Sequence, residues 1–487
     1  MSPENPPASK GRAWLRPLIA FIVAFDLAAF FQWQDGAFQS EFGGHPDEAA
    51  HYLTGVRVRD AAMHARDLTR EGGARHPIAA LRRTPAFDVA EGGWMLVFGT
   101  SRIAVLLFMA ALAAATTTLI FCTVRREFGD WAAAIASLLW LCAPAVRESY
   151  ETILPEQFAA FFLTGAALLW ARRMDDRATP RTAVSGWIRG TAVFGGGWVL
   201  AIAIASVISI FAMPFLKGSA LSLGLGAAPF ALAGVVIFRR SGARPAMTRF
   251  AMTALVAAVI FARWMKATGP DIRVLIVATP ALAILAVHGA VSLAGIVGSR
   301  TAIAAELSRR RALWLFLLVL LALPADLLHP RQKDWSGFGP AALTLIDEAP
   351  GGTGLLVVSD PRGEGMLLSE IAMHDLEGKI TIERGSETLV ESGGPEPRGR
   401  PLERFLDDEH LFAHLTSGRI RFIVFDSAVP QDMRAGYHDQ VNRVIEGNVR
   451  SFWPIYDSPI IRDGEPQGHP LRIFRVAPSG ETQLQLQ

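Results

Sequence analysis

The chain has 487 residues, of which 51% are hydrophobic and only 19% are charged. Its mean hydropathy of +0.30 is too high for a soluble chain of this length and predicts a membrane protein. The net charge of +2 is too small for a nucleic-acid-binding protein, which would carry a large positive excess.

Apolar blocks of about twenty residues, the length that crosses a hydrocarbon core, recur along the first 330 residues. The first block, about 14–33, follows basic residues and ends in bulky side chains rather than at a cleavage site, so we predict an uncleaved anchor. Asp26 within it either faces a polar cavity or pairs with a neighbouring helix. The further spans, which bring the predicted total to nine, lie near 95–122, 131–146, 156–171, 191–212, 219–238, 250–265, 272–295 and 312–329.

Arginine pairs and triplets fall in alternate connections between these spans, on the side of the N-terminus. The positive-inside rule makes that side cytoplasmic. The first loop, 34–94, and everything after about residue 330 are then predicted to face outward.

The first outer loop carries the segment GGHPDEAAHY (43–52), which is the most informative stretch of the chain. A carboxylate beside a bilayer costs free energy unless it is solvated, is paired with a cation or has a functional role. Asp47 and Glu48 therefore suggest a reactive acid or base. Pro46 and the two acids suit a helix start, and the helix is expected to run to about Leu68.

On that helix Asp47 shares a face with His51, and Glu48 shares a face with Tyr52. A second short amphipathic helix is expected in HPIAALRRTPAF (76–87), lying at the membrane interface.

Residues 331–487 change in composition and alternate short apolar runs with helical stretches, which predicts a small α/β domain. SDPRGEG (359–365) either binds an anion at a helix start or forms an ordinary turn. Cys122 and Cys142 lie in different spans and are not expected to pair. Strands are predicted at 353–360, 379–384, 420–427, 451–458 and 471–477, with helices at 364–375, 401–416 and 432–447.

The first helix, the loop motif HPDEAAHYLTG (45–55) and the segment FGTSRIAVLLFMAAL (98–112) together resemble a known family. They look like the bacterial GT-C integral-membrane glycosyltransferases of the protein O-mannosyltransferase or family 39 type, which include the lipid A aminoarabinose transferase. RVLIVATPALAILAVHG (273–289) is similar to a late helix of that family. The resemblance covers about residues 14–330 and implies a multi-spanning α-helical membrane protein, here with a C-terminal extracytoplasmic α/β domain.

The resemblance implies transfer of a sugar from a polyprenyl-phosphate donor to a hydroxyl acceptor at the outer face of the bacterial cytoplasmic membrane, with inversion. An acid of the first outer loop serves as general base, which matches Asp47 best, with Glu48 beside it. A cation should stabilise the phosphate leaving group. Arg273 is the first choice, and Lys217 and Arg102 are weaker ones.

The chain departs from the family in the segment 147–161, where many members carry a second aspartate. Glu156 and Glu151 are the candidates for that place, and Glu156 is placed more like the family's residue. Glu156 serves either as a ligand for metal or acceptor or as an acid that complements a helix start. No cofactor is certain. A divalent metal ion near the phosphate stays open, with Asp47, His51 and Glu156 as plausible ligands, whereas a tightly held structural metal is not expected.

Two other classes of function remain open at this point. A lipid or glycan transporter would reuse a polar cavity in the membrane, and a non-catalytic scaffold would bind a partner through the outer domain. For a transferase, a lipid, a glycan and a protein hydroxyl are all compatible acceptors.

Overall fold

The structure is a computed structural model that describes residues 14–70 except 44, 85–176, parts of 276–287, and 333–477 except 376–377, 392–402, 432, 463 and 469. The chain forms two compact units. The first unit contains Met1–Gln34 and Leu107–Arg331, and the second contains Asp35–Leu106 and Gln332–Gln487.

Helices make up the described part of the chain before residue 177. The helix α4 is broken at Gly129, whose φ of 84° is a left-handed conformation that glycine adopts without strain. The helices are α1 (Leu15–Gln34), α2 (Pro46–Arg70), α3 (Ala86–Phe98), α4 (Arg102–Leu141), α5 (Pro144–Tyr150) and α6 (Glu156–Asp176).

Two of the described helices, α1 and the Arg102–Arg126 arm of α4, are long and apolar enough to cross a membrane. Large apolar side chains of α1, such as Ile19, Val23 and Phe30, are exposed on the protein surface. Exposed apolar surface of this extent suits contact with lipid. The predicted first span is therefore confirmed as a helix, and the second begins at Arg102 rather than near 95 because Gly99 separates it from α3.

The two other apolar helices are shorter. Phe128–Leu141 and Glu156–Leu169 occupy the places of the third and fourth predicted spans. The spans predicted at 191–212, 219–238, 250–265 and 312–329, and most of the one at 272–295, lie outside the described residues.

The helix predicted in the first outer loop is confirmed as α2, which continues two residues beyond the expected end. Most of the predicted interfacial helix at 76–87 falls outside the described residues. The sequence pattern did not predict α3, because its apolar C-terminal half resembles the start of a span.

A five-stranded sheet with the strand order β2-β1-β3-β7-β4 forms the centre of the C-terminal region. Strands β2, β1 and β3 are parallel, and β3, β7 and β4 are antiparallel. The elements are α7 (Phe338–Glu348), β1 (Thr353–Val358), α8 (Pro361–His374), β2 (Ile380–Arg384), α9 (Gly385–Thr388), α10 (Asp408–Leu415), β3 (Phe422–Asp426), α11 (Gly436–Gly447), β4 (Phe452–Ser458), β5 (Ile461–Arg462), β6 (Glu465–Pro466) and β7 (Leu471–Val476).

Separate apolar cores cover the two faces of this sheet. One joins α7 and α8 to Leu355 and Val357, and the other joins α10 and α11 to Leu356 and Val358. Alternate residues of β1 thus enter opposite cores, as the period of a strand requires. The five predicted strands and the α/β class of this region are confirmed, whereas α7, α9 and the short β5–β6 pair were not predicted.

The compact unit that contains the sheet also includes residues 35–106, which carry α2 and α3. The predicted division into a membrane domain, 1–330, and an outer domain, 331–487, stays a prediction.

Candidate functional site

The start of α2 exposes one carboxylate. Asp47 lies in the first turn, where the helix dipole favours an acid, and 67% of its side chain is exposed. His45 accepts a hydrogen bond from the Asp47 backbone N–H at 3.1 Å, and its Nδ1 lies 3.6 Å from Asp47 Oδ2. The predicted base is therefore accessible and has an imidazole beside it.

The neighbouring acid, Glu48, has a different environment. Its side chain is only 1% exposed, and its Oε1 lies 3.7 Å from Lys333 Nζ. Tyr52, the expected partner of Glu48 one turn on, donates its hydroxyl to the Thr100 carbonyl at 2.9 Å instead. Glu48 thus ties α2 to the segment that enters the sheet region.

The face of α2 that carries His51 packs against α3. His51 Nδ1 lies 2.8 Å from Asp88 Oδ1, and the imidazole meets the Phe87 ring edge-on. Asp88 is almost fully buried, so this hydrogen bond satisfies it. His51, a predicted acceptor or metal ligand, is engaged with an acid that the sequence pattern did not single out.

Glu91 is a second acid of α3 that sequence reasoning missed. It is fully buried beside Gly55 of α2, and among the described residues neither carboxyl oxygen has a hydrogen-bond partner. Burial, followed by the nearby charge of Asp88, raises the pKa of Glu91 well above its ordinary value. Burial disfavours the charged form of a carboxyl group, which sets Glu91 apart from the exposed Asp47. The sequence did contain a signal for Glu91, because an acidic residue within an apolar helix is unusual.

Arg102, a predicted donor-phosphate residue, already has partners. Its guanidinium pairs with Glu370 of α8, donates to the Gln39 carbonyl at 3.2 Å, and lies over the Phe42 ring. Glu41 lies close to this pair and accepts three backbone N–H bonds at the start of α7. These contacts connect the first outer loop to the sheet region.

The remaining predicted site residues are Arg273, Lys217 and Glu156. Arg273 and Lys217 lie outside the described residues. Glu156 is the first residue of α6, in the other compact unit, as the helix-start interpretation expects. In the described part of the chain, no group of three or more His, Cys, Asp or Glu side chains could hold a metal ion.

The SDPRGEG segment forms a turn that caps α8. The Asp360 side chain accepts the Gly363 N–H at 2.6 Å, so a carboxylate of the chain itself occupies the helix start. Asp426, at the end of β3, accepts the Ser359 hydroxyl at 2.6 Å and pairs with Arg462. This buried network is paired within the chain, which agrees with the turn interpretation.

The chain is similar to a protein family over part of its length and to solved structures over most of its length. Residues 82–238 match the family model of dolichyl-phosphate-mannose–protein mannosyltransferases. No curated protein sequence matches the chain. Two solved structures of ArnT from Cupriavidus metallidurans are similar. The apo form has 12% identity, covers 94% of this chain and 98% of its own, and has a TM-score of 0.46. The form bound to undecaprenyl phosphate has 13% identity, coverages of 95% and 98%, and a TM-score of 0.42.

The family match confirms that the chain is a glycosyltransferase, an enzyme class that acts here with a lipid-linked sugar donor. Residues 82–238 are thus similar to the GT-C, mannosyltransferase-like type that the first outer loop predicted.

Proposed function

We propose that this enzyme transfers a sugar from a polyprenyl-phosphate donor to a hydroxyl acceptor, with Asp47 as the general base. The N-terminus lies in the cytoplasm, and the reaction takes place at the outer face of the bacterial cytoplasmic membrane. The observation that carries the proposal is the exposure of Asp47 at the start of α2. A base must come within hydrogen-bond distance of the acceptor hydroxyl, which only an accessible group can do.

The other acids around α2 suit other tasks. Glu48 is buried against Lys333, and Asp88 is buried against His51. Glu91 is fully buried, and that burial raises its pKa above the ordinary value. Asp47 is the acid in this cluster that combines exposure with a helix start, and Glu48 serves to hold α2 in place.

The reaction follows from these roles. Asp47 removes the proton of the acceptor hydroxyl while its oxygen attacks the anomeric carbon of the sugar. The bond between that carbon and the phosphate oxygen breaks, and the polyprenyl phosphate leaves with the electron pair. Attack from the face opposite the leaving group inverts the anomeric centre, and a cation is needed where the phosphate charge develops.

The test replaces Asp47 with Asn, which keeps the shape but removes the basicity. Transfer from a labelled polyprenyl-phosphate sugar should fall by about 10²–10⁴-fold, the usual contribution of a positioned acid or base. Binding of the donor should change little because its phosphate contacts cations. Asp60→Asn, which alters an acid further along α2 that pairs with Arg59, is the matched control and should keep full activity.

Glu48→Gln separates the two adjacent acids and should reduce transfer less than Asp47→Asn. Full loss in Glu48→Gln with near-normal transfer in Asp47→Asn would reverse their roles. If both variants transfer sugar as the parent does, the two acids only stabilise the start of α2, and the catalytic assignment is wrong. Movement of the labelled lipid across the membrane without turnover would instead favour a transporter.

A further inference from the structure

Arg362, the second residue of α8, carries a charge that the described residues do not neutralise. Its guanidinium lies over the Trp335 ring, with Cζ 5.6 Å from the ring centroid. Its Nε is buried and has no hydrogen-bond partner, and the guanidinium forms no ion pair with the described residues. Arg102 and Arg462 in the same compact unit also have a buried Nε without a hydrogen-bond partner, but both of them, and Arg384, pair with a carboxylate.

The face of α8 that carries Arg362 packs against the loop that carries Asp47. Residues three and four positions on from Arg362 share its side of the helix. A Cβ on Gly365 would lie 2.8 Å from Ala49 Cβ, and a Cβ on Gly43 would lie 2.5 Å from Met366 Sδ. Arg362 therefore lies one helical turn from residues that contact both sides of the HPDE segment.

Trp335 supports the same placement. Its ring would be 2.8 Å from a Cβ on Gly43, and the same ring carries the Arg362 guanidinium. The indole thus holds the arginine beside the loop that leads into α2. Arginine stacked on an aromatic ring keeps its N–H groups free for a ligand.

Two other cations near α2 already lie beside carboxylates. Lys333 lies beside Glu48, and Arg102 is paired with Glu370. Arg362 as a whole is only partly buried, so a phosphate oxygen can reach its guanidinium and accept charge-assisted hydrogen bonds from it. We propose that Arg362 binds the phosphate of the lipid donor, an inference that rests on the proposed function.

The test uses the full-length protein and measures binding of undecaprenyl phosphate by native mass spectrometry. Arg362→Gln should weaken binding by about 10- to 100-fold, the range for one lost charge-assisted hydrogen bond. Arg362→Lys keeps the charge without the planar fork and should lose less. Asp47→Asn should bind as the parent does. Arg404→Gln, which alters an arginine over the Phe405 ring at the opposite face of the sheet, should also bind normally.

Undecaprenol, which lacks the phosphate, is the control lipid. It distinguishes a specific loss of phosphate binding from a general change in the structure of the variant. Its binding should be the same in the parent and in Arg362→Gln, and an equal loss for both lipids would overturn the assignment. Unchanged binding of undecaprenyl phosphate by Arg362→Gln would also overturn it. If Arg362→Gln does not fold, Arg362→Lys takes its place: its loss of binding should be confined to undecaprenyl phosphate, and an equal loss for undecaprenol would overturn the assignment. A parent that neither binds undecaprenyl phosphate nor transfers sugar refutes the proposed function itself.

Discussion

Glu41 links the pH to the stability of the unit that carries α2. Its side chain is buried, and its carboxyl oxygens accept the backbone N–H groups of Gly337, Phe338 and Gly339 at 3.0, 3.0 and 2.7 Å. These donors are the first N–H groups of α7, which no residue of that helix can satisfy. Glu41 is thus a cap supplied by a distant part of the chain.

Burial, and next the charge of Glu370, raise the pKa of Glu41 from 4.5 to about 7, against the opposing effect of the N–H donors and Arg102. The folded protein therefore keeps a proton that the unfolded chain releases between these pH values. The associated stability is fully present below pH 4.5 and is lost as the pH rises through 7. At about 1.4 kcal/mol per pKa unit, the loss is about 3 kcal/mol.

The assay compares the parent with Glu41→Gln, which keeps an acceptor oxygen and cannot ionise. Between pH 5 and pH 8 the unfolding free energy of the purified protein should fall by about 2–3 kcal/mol more in the parent than in the variant. Glu348→Gln, which alters an exposed acid of α7 that pairs with Arg475, should keep the slope of the parent. A parent whose stability does not change over this pH range, or a Glu41→Gln variant with the full slope, would refute the reasoning.

Substitutions at two further places test packing and ion pairing in the unit that carries α2. Gly92→Ala places a Cβ 2.6 Å from Val58 Cγ1 and should destabilise the α2–α3 contact by about 1–3 kcal/mol. The control is Gly93→Ala, whose Cβ meets nothing within 4 Å and which should stabilise α3 by about 0.5–1 kcal/mol. Equal melting temperatures for these two variants would contradict the close helix contact. Arg462→Met leaves Asp426 buried and unpaired and should cost about 3–5 kcal/mol in unfolding free energy, which the melting curve of Arg462→Met/Asp426→Leu should partly recover.

Local sequence patterns predicted the elements that depend on near neighbours. The strand TGLLVVSD and the helix start at Pro46 both appear as expected, because an apolar run and an acidic first turn act within a few residues. The helix α7 was missed because its cap, Glu41, lies almost three hundred residues earlier in the chain. Local propensity contains no information about such a partner.

The sequence by itself determined the membrane class, the α/β region and the acids of the first outer loop. Only the tertiary structure decided which of those acids is exposed and which is buried. Asp47 and Glu48 are adjacent and chemically alike, yet Lys333 lies beside one of them and the other remains accessible. It also brought Arg362 and Trp335 beside that loop. Burial and ion pairing depend on contacts between residues far apart in the chain, so a reading of neighbouring residues cannot supply them.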